Sequence, residues 1–206
     1  MRYTGPKNKV SRREAADLGL KTVGSKAHAN LLKKINVSPG QHGARFKRKL
    51  SEHGRQLREK QKLRFTFGLT EGQLKSYFDK VTKKEGNTSV LLGEILERRL
   101  DNIVYRLGFA PTRAAARQLV SHGHIMVGGK KLSIPSYMVE NGEKIQLNDV
   151  TATKIPYISQ FREGNSAIIP DWFSVKKNEG VLNSSPTGDI INKQINMRLV
   201  IEFYSR

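Results

Sequence analysis

SVLLGEILERRLDNIVYRLGFAPTRAAARQLVSHGHIMVGGKKL, residues 89–132, changes its hydrophobic period partway along, and that change sets the fold class. Ile95, Leu96, Leu100, Ile103, Val104 and Leu107 recur at helical spacing and mark the buried face of a helix opening near Ser89, while Arg98, Arg99 and Arg106 fall elsewhere. Gly108 ends that run, and Phe109-Ala110-Pro111 connects it to a second helix. Thr112 is a good N-cap residue for this helix, with Ala116, Leu119 and Val120 turned inward and Arg113 and Arg117 outward. After His122-Gly123 the period falls to two: a strand through His124-Ile125-Met126-Val127, a Gly128-Gly129 turn, and a return through Lys130-Lys131-Leu132. The unit is helix, helix, hairpin.

Downstream, Asn141-Gly142 introduces a further strand, Glu143 to Leu147. Trp172 to Val175 and Arg198 to Tyr204, rich in β-branched and aromatic residues, predict two more strands, separated by a polar stretch with Asn183, Ser184, Ser185, Pro186 and Gly188. Upstream, Thr70-Glu71-Gly72-Gln73 has the capping-box spacing and opens a helix whose Leu74, Tyr77, Phe78 and Val81 form a core stripe that stops at Gly86-Asn87. A helix from Arg55 to Phe67 places Leu57, Lys60 and Phe67 on one side and Arg55, Arg58 and Lys62 on another, giving it a basic stripe. Residues 1–64 carry far more charge than core, and the Ser38-Pro39-Gly40-Gln41-His42-Gly43 loop feeds directly into the Arg45 to Lys49 cluster. Such a segment is expected to order against a polyanion, with Leu31, Leu32, Ile35 and Val37 as a small apolar anchor.

The 206 residues hold 37 Lys plus Arg against 18 Asp plus Glu, a net charge of +19 that repels itself unless an external anion compensates it. Nucleic acid, an acidic protein and an anionic membrane surface all satisfy that demand. No apolar run is long enough to span a bilayer; the stretch from Ile95 to Val104 is interrupted by Glu97, Arg98, Arg99 and Asp101. The first residues lack the apolar stretch of a secretory signal, so an intracellular, cytoplasmic location is expected. With no cysteine there is neither disulfide nor thiolate-held zinc. His28 stands without thiolate or carboxylate partners at ligand spacing and is read as structural or exposed, so no metal and no cofactor is expected.

Arg99-Leu100-Asp101-Asn102-Ile103-Val104-Tyr105-Arg106-Leu107-Gly108-Phe109, Thr112-Arg113, Gln118-Leu119-Val120 and His122-Gly123-His124-Ile125 with Val127 and Gly129 resemble the S-four RNA-binding domain. Arg2-Tyr3-Thr4-Gly5-Pro6, Pro39-Gly40-Gln41-His42-Gly43, Arg58-Glu59-Lys60-Gln61-Lys62 and Glu202-Phe203-Tyr204-Ser205-Arg206 extend the likeness, in order and from end to end, to the S-four family of small ribosomal subunit proteins. The resemblance implies an α+β chain. Residues 1–94 would form a basic arm and helical domain, 95–158 an S-four domain with helices packed on an antiparallel sheet, and 159–206 an extension whose strands complete that sheet. It implies direct binding to a multi-helix junction of small-subunit ribosomal RNA, nucleation of the subunit body, and a place near the messenger RNA entry pore beside the proteins called S three and S five, with an influence on decoding accuracy. Many relatives hold zinc with four cysteines in the arm; Lys9 to Ile35 has none, so this is the zinc-free type.

Folded RNA is recognised through shape, phosphates and sugar edges, and the flat fork of Arg suits two phosphate oxygens at once. The resemblance turns the helix pair and hairpin edge toward RNA, which selects Arg99, Arg113, Arg117, His122, His124, Lys130 and Lys131. Arg113 and Arg117 are same-face neighbours one turn apart with no acidic residue nearby, an arrangement that repels unless an anion sits between or above them. His122 and His124 alternate along a strand start and are expected to point apart rather than share a ligand. From the arm and first long helix, Arg45, Lys47, Arg48, Lys49, Arg55, Arg58, Lys60 and Lys62 would supply sequence-independent affinity, with Glu59 in a local ion pair.

An enzyme acting on RNA is the rival class, because the same module is appended to certain pseudouridine synthases and tyrosyl-tRNA synthetases. The chain shows no phosphate-binding glycine loop of the usual spacing, no paired carboxylates in a cleft motif and no nucleophile beside a base, so no catalytic activity is expected. A regulator of its own messenger would need no different residues. A DNA regulator fits less well, since the helix pair runs at once into a hairpin and the basic residues spread over the whole chain.

Overall fold

A computed structural model describes residues 3–43, 45, 49–148, 155, 169–176, 179–186, 191 and 195–205. The chain forms two compact units, Met1–Leu92 with Gly188–Arg206, and Gly93–Thr187.

The first unit is helical. α1 (Lys7–Glu14) and α2 (Lys26–Lys33) come from the stretch expected to need a polyanion, yet they have protein partners of their own. Asn8 donates to the Ala27 carbonyl at 3.0 Å, Arg12 donates to the carbonyls of Val37 and Ser38, and His28 meets Asp17 at 2.8 Å. Val10, Leu18 and Leu31 are buried; of the anticipated apolar anchor, Leu31 is buried, Ile35 half-buried, and Leu32 and Val37 exposed.

α3 (Glu52–Thr66) starts where Ser51 accepts from the Gly54 N–H, and buries Gln56, Lys60, Leu63 and Thr66 along one face. α4 (Glu71–Thr82) has the anticipated capping box, with reciprocal bonds between Thr70 and Gln73, and buries Leu74, Phe78 and Val81.

The last segment corrects the sequence reading. Arg198 to Tyr204 is not a strand but lies within α8 (Met197–Tyr204), capped by the Asn196 side chain and packed along α3. The run Leu-Val-Ile-Glu-Phe-Tyr has high β-propensity, but Met197 and Val200 also fall on one helical face, and a groove beside α3 selects that period. Asn196 N–H donates to Glu59 and Gln56 donates to Glu202, which fixes the register of α8 on α3.

The second unit packs helices on a sheet. The sequence pattern predicts one helix where the structure has two, α5 (Thr88–Glu97), which belongs to this unit from Gly93 onward, and α6 (Leu100–Arg106), with a break at Arg98-Arg99. The segment around Tyr137 imposes the break: Leu100 N–H donates to the Tyr137 carbonyl at 2.8 Å and Val139 N–H to the Arg98 carbonyl at 3.0 Å. α7 (Arg113–Ser121) follows with Thr112 as its N-cap.

Five strands, β1 (Ile125–Val127), β2 (Lys130–Lys131), β3 (Lys144–Leu147), β4 (Phe173–Lys176) and β5 (Glu179–Leu182), pair antiparallel in the order β2-β1-β3-β5-β4. Gly128 and Gly129 both have positive φ, 55° and 79°, as the tight β1–β2 turn requires. β5 escaped the sequence reading because Gly180 interrupts its apolar pattern. A Cβ there would lie 2.5 Å from Leu107 Cδ2, so glycine is what lets α6 settle on the sheet. The extension placed at 159–206 therefore divides: β4 and β5 complete the sheet, whereas α8 belongs to the first unit. Leu100, Ile103, Val104, Leu107, Leu119, Val120, Ile125, Ile145 and Leu182 form the core between the helices and the sheet.

Candidate RNA interface

Two carboxylates at the start of α6 and the end of α5 organise the basic residues of the second unit. Asp101 is buried and accepts from two guanidinium groups: Arg99 through Nε to Oδ1 (3.1 Å) and Nη2 to Oδ2 (2.7 Å), and Arg117 through Nη1 to Oδ2 (3.1 Å). Glu97 is buried too. It accepts from Arg106 through Nε (3.0 Å) and Nη2 (2.5 Å), and from Asn102 Nδ2 at 2.6 Å. Asn102 in turn accepts from Arg113 Nε at 2.8 Å, and the Arg113 guanidinium lies 4.5 Å over the Tyr105 ring. Burial alone would raise the Glu97 carboxyl, but Arg106 outweighs it and holds the group below its ordinary value. Arg113 is held below the ordinary arginine value, first by burial and then by the neighbouring Arg106.

This geometry changes the assignment of the expected ligands. Arg99 is 0% exposed and serves as an internal partner of Asp101, so it drops out of any surface role. Arg113 and Arg117 do share one face, but the premise that no acid lies nearby is corrected: Asp101 sits 16 residues before Arg117 in sequence and directly beside it in space. Each carboxylate is taken bidentately by an inner arginine, Arg99 or Arg106; Asp101 also accepts directly from Arg117, whereas Glu97 is linked to Arg113 through Asn102. One unit of positive charge remains with each group of two arginines and one carboxylate.

The hairpin end lies at the far end of α7. His122 is exposed, His124 half-buried, and their ring centroids stand 6.1 Å apart. Lys130 and Lys131 are exposed on β2, and the Lys131 stem lies against Gly123, where any side chain would collide with it. Burial, then His122 and Lys131, hold the His124 imidazole below its ordinary value.

In the first unit, Arg45, Lys49 and Arg55 are exposed, while Lys47 and Arg48 lie outside the described residues. Arg58 is paired with Glu14 at 3.2 Å, and Lys62 with Glu59 at 2.6 Å, the local ion pair anticipated for Glu59. Lys60 is the second correction. Its side chain is 7% exposed, its ammonium is 2.7 Å from Glu71 and 4.2 Å from the centre of the Phe203 ring, and it is a structural group. Arg13, which the sequence reading did not select as an RNA ligand, joins Arg55, Arg58 and Lys62 around a cavity of about 530 Å³ also lined by Pro39, Leu50 and Leu199. Glu14 also lines it, its carboxyl raised by burial despite Arg58. Among the described residues no cluster of His, Cys, Asp or Glu could hold a metal ion, and no helix is long and apolar enough to cross a membrane.

Comparison with known proteins is consistent across the chain. The family model for the ribosomal protein S4/S9 N-terminal domain matches residues 2–97, and the S4 domain model matches residues 98–145. The chain is 46% identical over its whole length to the small ribosomal subunit protein uS4 of Herpetosiphon aurantiacus, covering 99% of that protein. It is 48% identical to the protein of the same name from Streptococcus uberis and 43% to that from Chromobacterium violaceum, again over its full length and with 98% and 99% of those proteins covered. With both family models matched in order, and full-length relatives named as small ribosomal subunit protein uS4, the chain belongs to the uS4 family of small ribosomal subunit proteins.

Proposed function

We propose that this protein binds small-subunit ribosomal RNA at a multi-helix junction, nucleates folding of the subunit body in the cytoplasm, and sits near the messenger RNA entry site beside the proteins called S three and S five, where it contributes to translational accuracy. The observation that carries the RNA-binding step is the half-buried pair Arg113 and Arg117 on one face of α7, two guanidinium groups held side by side by Asn102 and Asp101. Exposed Lys130, Lys131 and His122 extend the same basic character to the hairpin, and Arg13, Arg45, Lys49 and Arg55 supply cations from the first unit. Both sets suit phosphate contacts that position the protein on a folded RNA, with shape rather than base identity as the signal. Chemical footprinting of the full chain on small-subunit RNA tests the reading. Protection concentrated at one junction is the expected result. Uniform protection, or equal affinity for duplex DNA, would refute it.

The hairpin end gives a pH prediction. Phosphate beside His124 favours the imidazolium, so its pKa rises on binding from the depressed value of the free protein, and a proton is taken up. Affinity is therefore expected to increase as pH falls from 8 toward about 6, across the usual imidazole range. His124→Asn should flatten that dependence, and an RNA titration repeated at several pH values measures it; a wild-type profile in the variant would remove His124 from the contact.

A further inference from the structure

We propose that Asp101 and Asn102 are positioning residues of the RNA interface, holding Arg117 and Arg113 in one fixed arrangement so that the pair meets RNA phosphates already ordered. The proposal rests on the RNA-binding reading above and concerns residues that touch no RNA themselves.

Both residues lie in the first turn of α6, which is tied into the core by Leu100 and Ile103 and stitched to the Tyr137 segment through backbone bonds. Asp101 and Asn102 are therefore rigid mounting points. A free arginine on a helix surface samples many rotamers, and ordering it against a phosphate costs side-chain entropy. Here the Arg117 fork already has one N–H committed to Asp101, and Arg113 has its Nε committed to Asn102 with its flat face on Tyr105.

A mounting carboxylate ordinarily cancels the charge it holds. At Asp101 it does not, because the carboxylate is shared between the bidentate Arg99 and Arg117, two positive charges against one negative, and the mount of Arg113 is the neutral Asn102 side chain. Simple electrostatics and positioning then predict opposite signs. If only net charge mattered, removing the Asp101 carboxylate would tighten RNA binding. If Asp101 positions Arg117, removing it loosens binding despite the gain in positive charge.

The test uses the full chain and a junction-containing fragment of small-subunit ribosomal RNA. Arg117→Lys keeps the charge and loses the fork; it is expected to bind about three- to tenfold more weakly with an unchanged dependence of log affinity on log salt. Asp101→Asn should weaken binding by a similar factor, and combining it with Arg117→Lys should add little, the mark of two residues acting through one contact. A denaturant titration checks that Asp101→Asn is folded, since Arg99 loses its counter-charge. Should that variant fail to fold, Asn102→Ala, which removes the acceptor of Arg113 Nε without changing the net charge, takes its place and should likewise weaken binding several-fold, unchanged affinity counting against the proposal. Wild-type affinity in the lysine variants, or tighter binding by folded Asp101→Asn, would overturn the proposal. Failure of the wild-type chain to bind the fragment would instead overturn the functional reading beneath it.

Discussion

Replacing Arg113 and Arg117 together with alanine is expected to lower affinity for small-subunit RNA by about 30- to 100-fold near physiological salt, because two charge-assisted hydrogen bonds to phosphate disappear. The slope of log affinity against log salt should become shallower by roughly 1.5 to 2, because each phosphate no longer neutralised keeps its counterions. A binding series between low and moderate salt measures both quantities at once. An affinity loss with the original slope would mean that the substitutions act by disturbing the fold rather than by removing phosphate contacts.

The two single substitutions should not be equivalent. Arg117→Ala leaves Asp101 still bidentately paired with Arg99, so its effect falls on RNA and hardly on stability. Arg113→Ala strips the Asn102 carbonyl oxygen of its donor and uncovers the Tyr105 ring, with a cost of about 1 kcal/mol in folding as well. The cleaner probe of the interface is therefore Arg117. Arg113 serves both the interface and the packing of α7 against α6.

The features of the fold that could be read in advance are those settled by neighbours in sequence. Thr112 caps α7 within its first turn, Thr70 and Gln73 close α4 on each other, and Gly128-Gly129 turns the hairpin without help from elsewhere. The features missed are settled across long separations. Arg198 to Tyr204 is helical because α3 receives it, and the chain breaks at Arg98-Arg99 because Tyr137 and Val139 supply backbone partners. The site divides on the same line. Basic composition announces a polyanion, yet it cannot say which cations the fold itself consumes. Lys60 is committed to Glu71 and Phe203, and Arg99 to Asp101, whereas Arg13 and Arg55 meet around one cavity although α1 and α3 are far apart in sequence.

Lys60 leads to the second large effect, this time on folding. Glu71→Ala is expected to destabilise the first unit by about 2–3 kcal/mol, somewhat below the cost of breaking a fully buried pair because Glu71 itself is 43% exposed. One carboxylate oxygen there accepts from both the Lys60 ammonium at 2.7 Å and the Tyr204 hydroxyl at 2.8 Å, so its loss strands two donors where α3, α4 and α8 meet. Lys60→Met should be milder, since it removes the buried ammonium, leaves behind a Glu71 carboxylate that is 43% exposed and still bonded to Tyr204, and keeps an apolar stem beside Phe203. Burial alone would raise the Glu71 carboxyl, but Lys60 and Tyr204 outweigh it and hold the group below its ordinary value of 4.5. The stability it contributes is thus complete above that value and disappears as pH falls through the depressed one, an acid sensitivity that Glu71→Ala should lack. The single tryptophan, Trp172, lies in the other unit and provides the internal control. Urea unfolding of the variant should shift the helical circular-dichroism transition to lower concentration while Trp172 fluorescence keeps its wild-type midpoint; equal displacement of both signals would show that the Lys60–Glu71–Tyr204 contact stabilises more than the helices it joins.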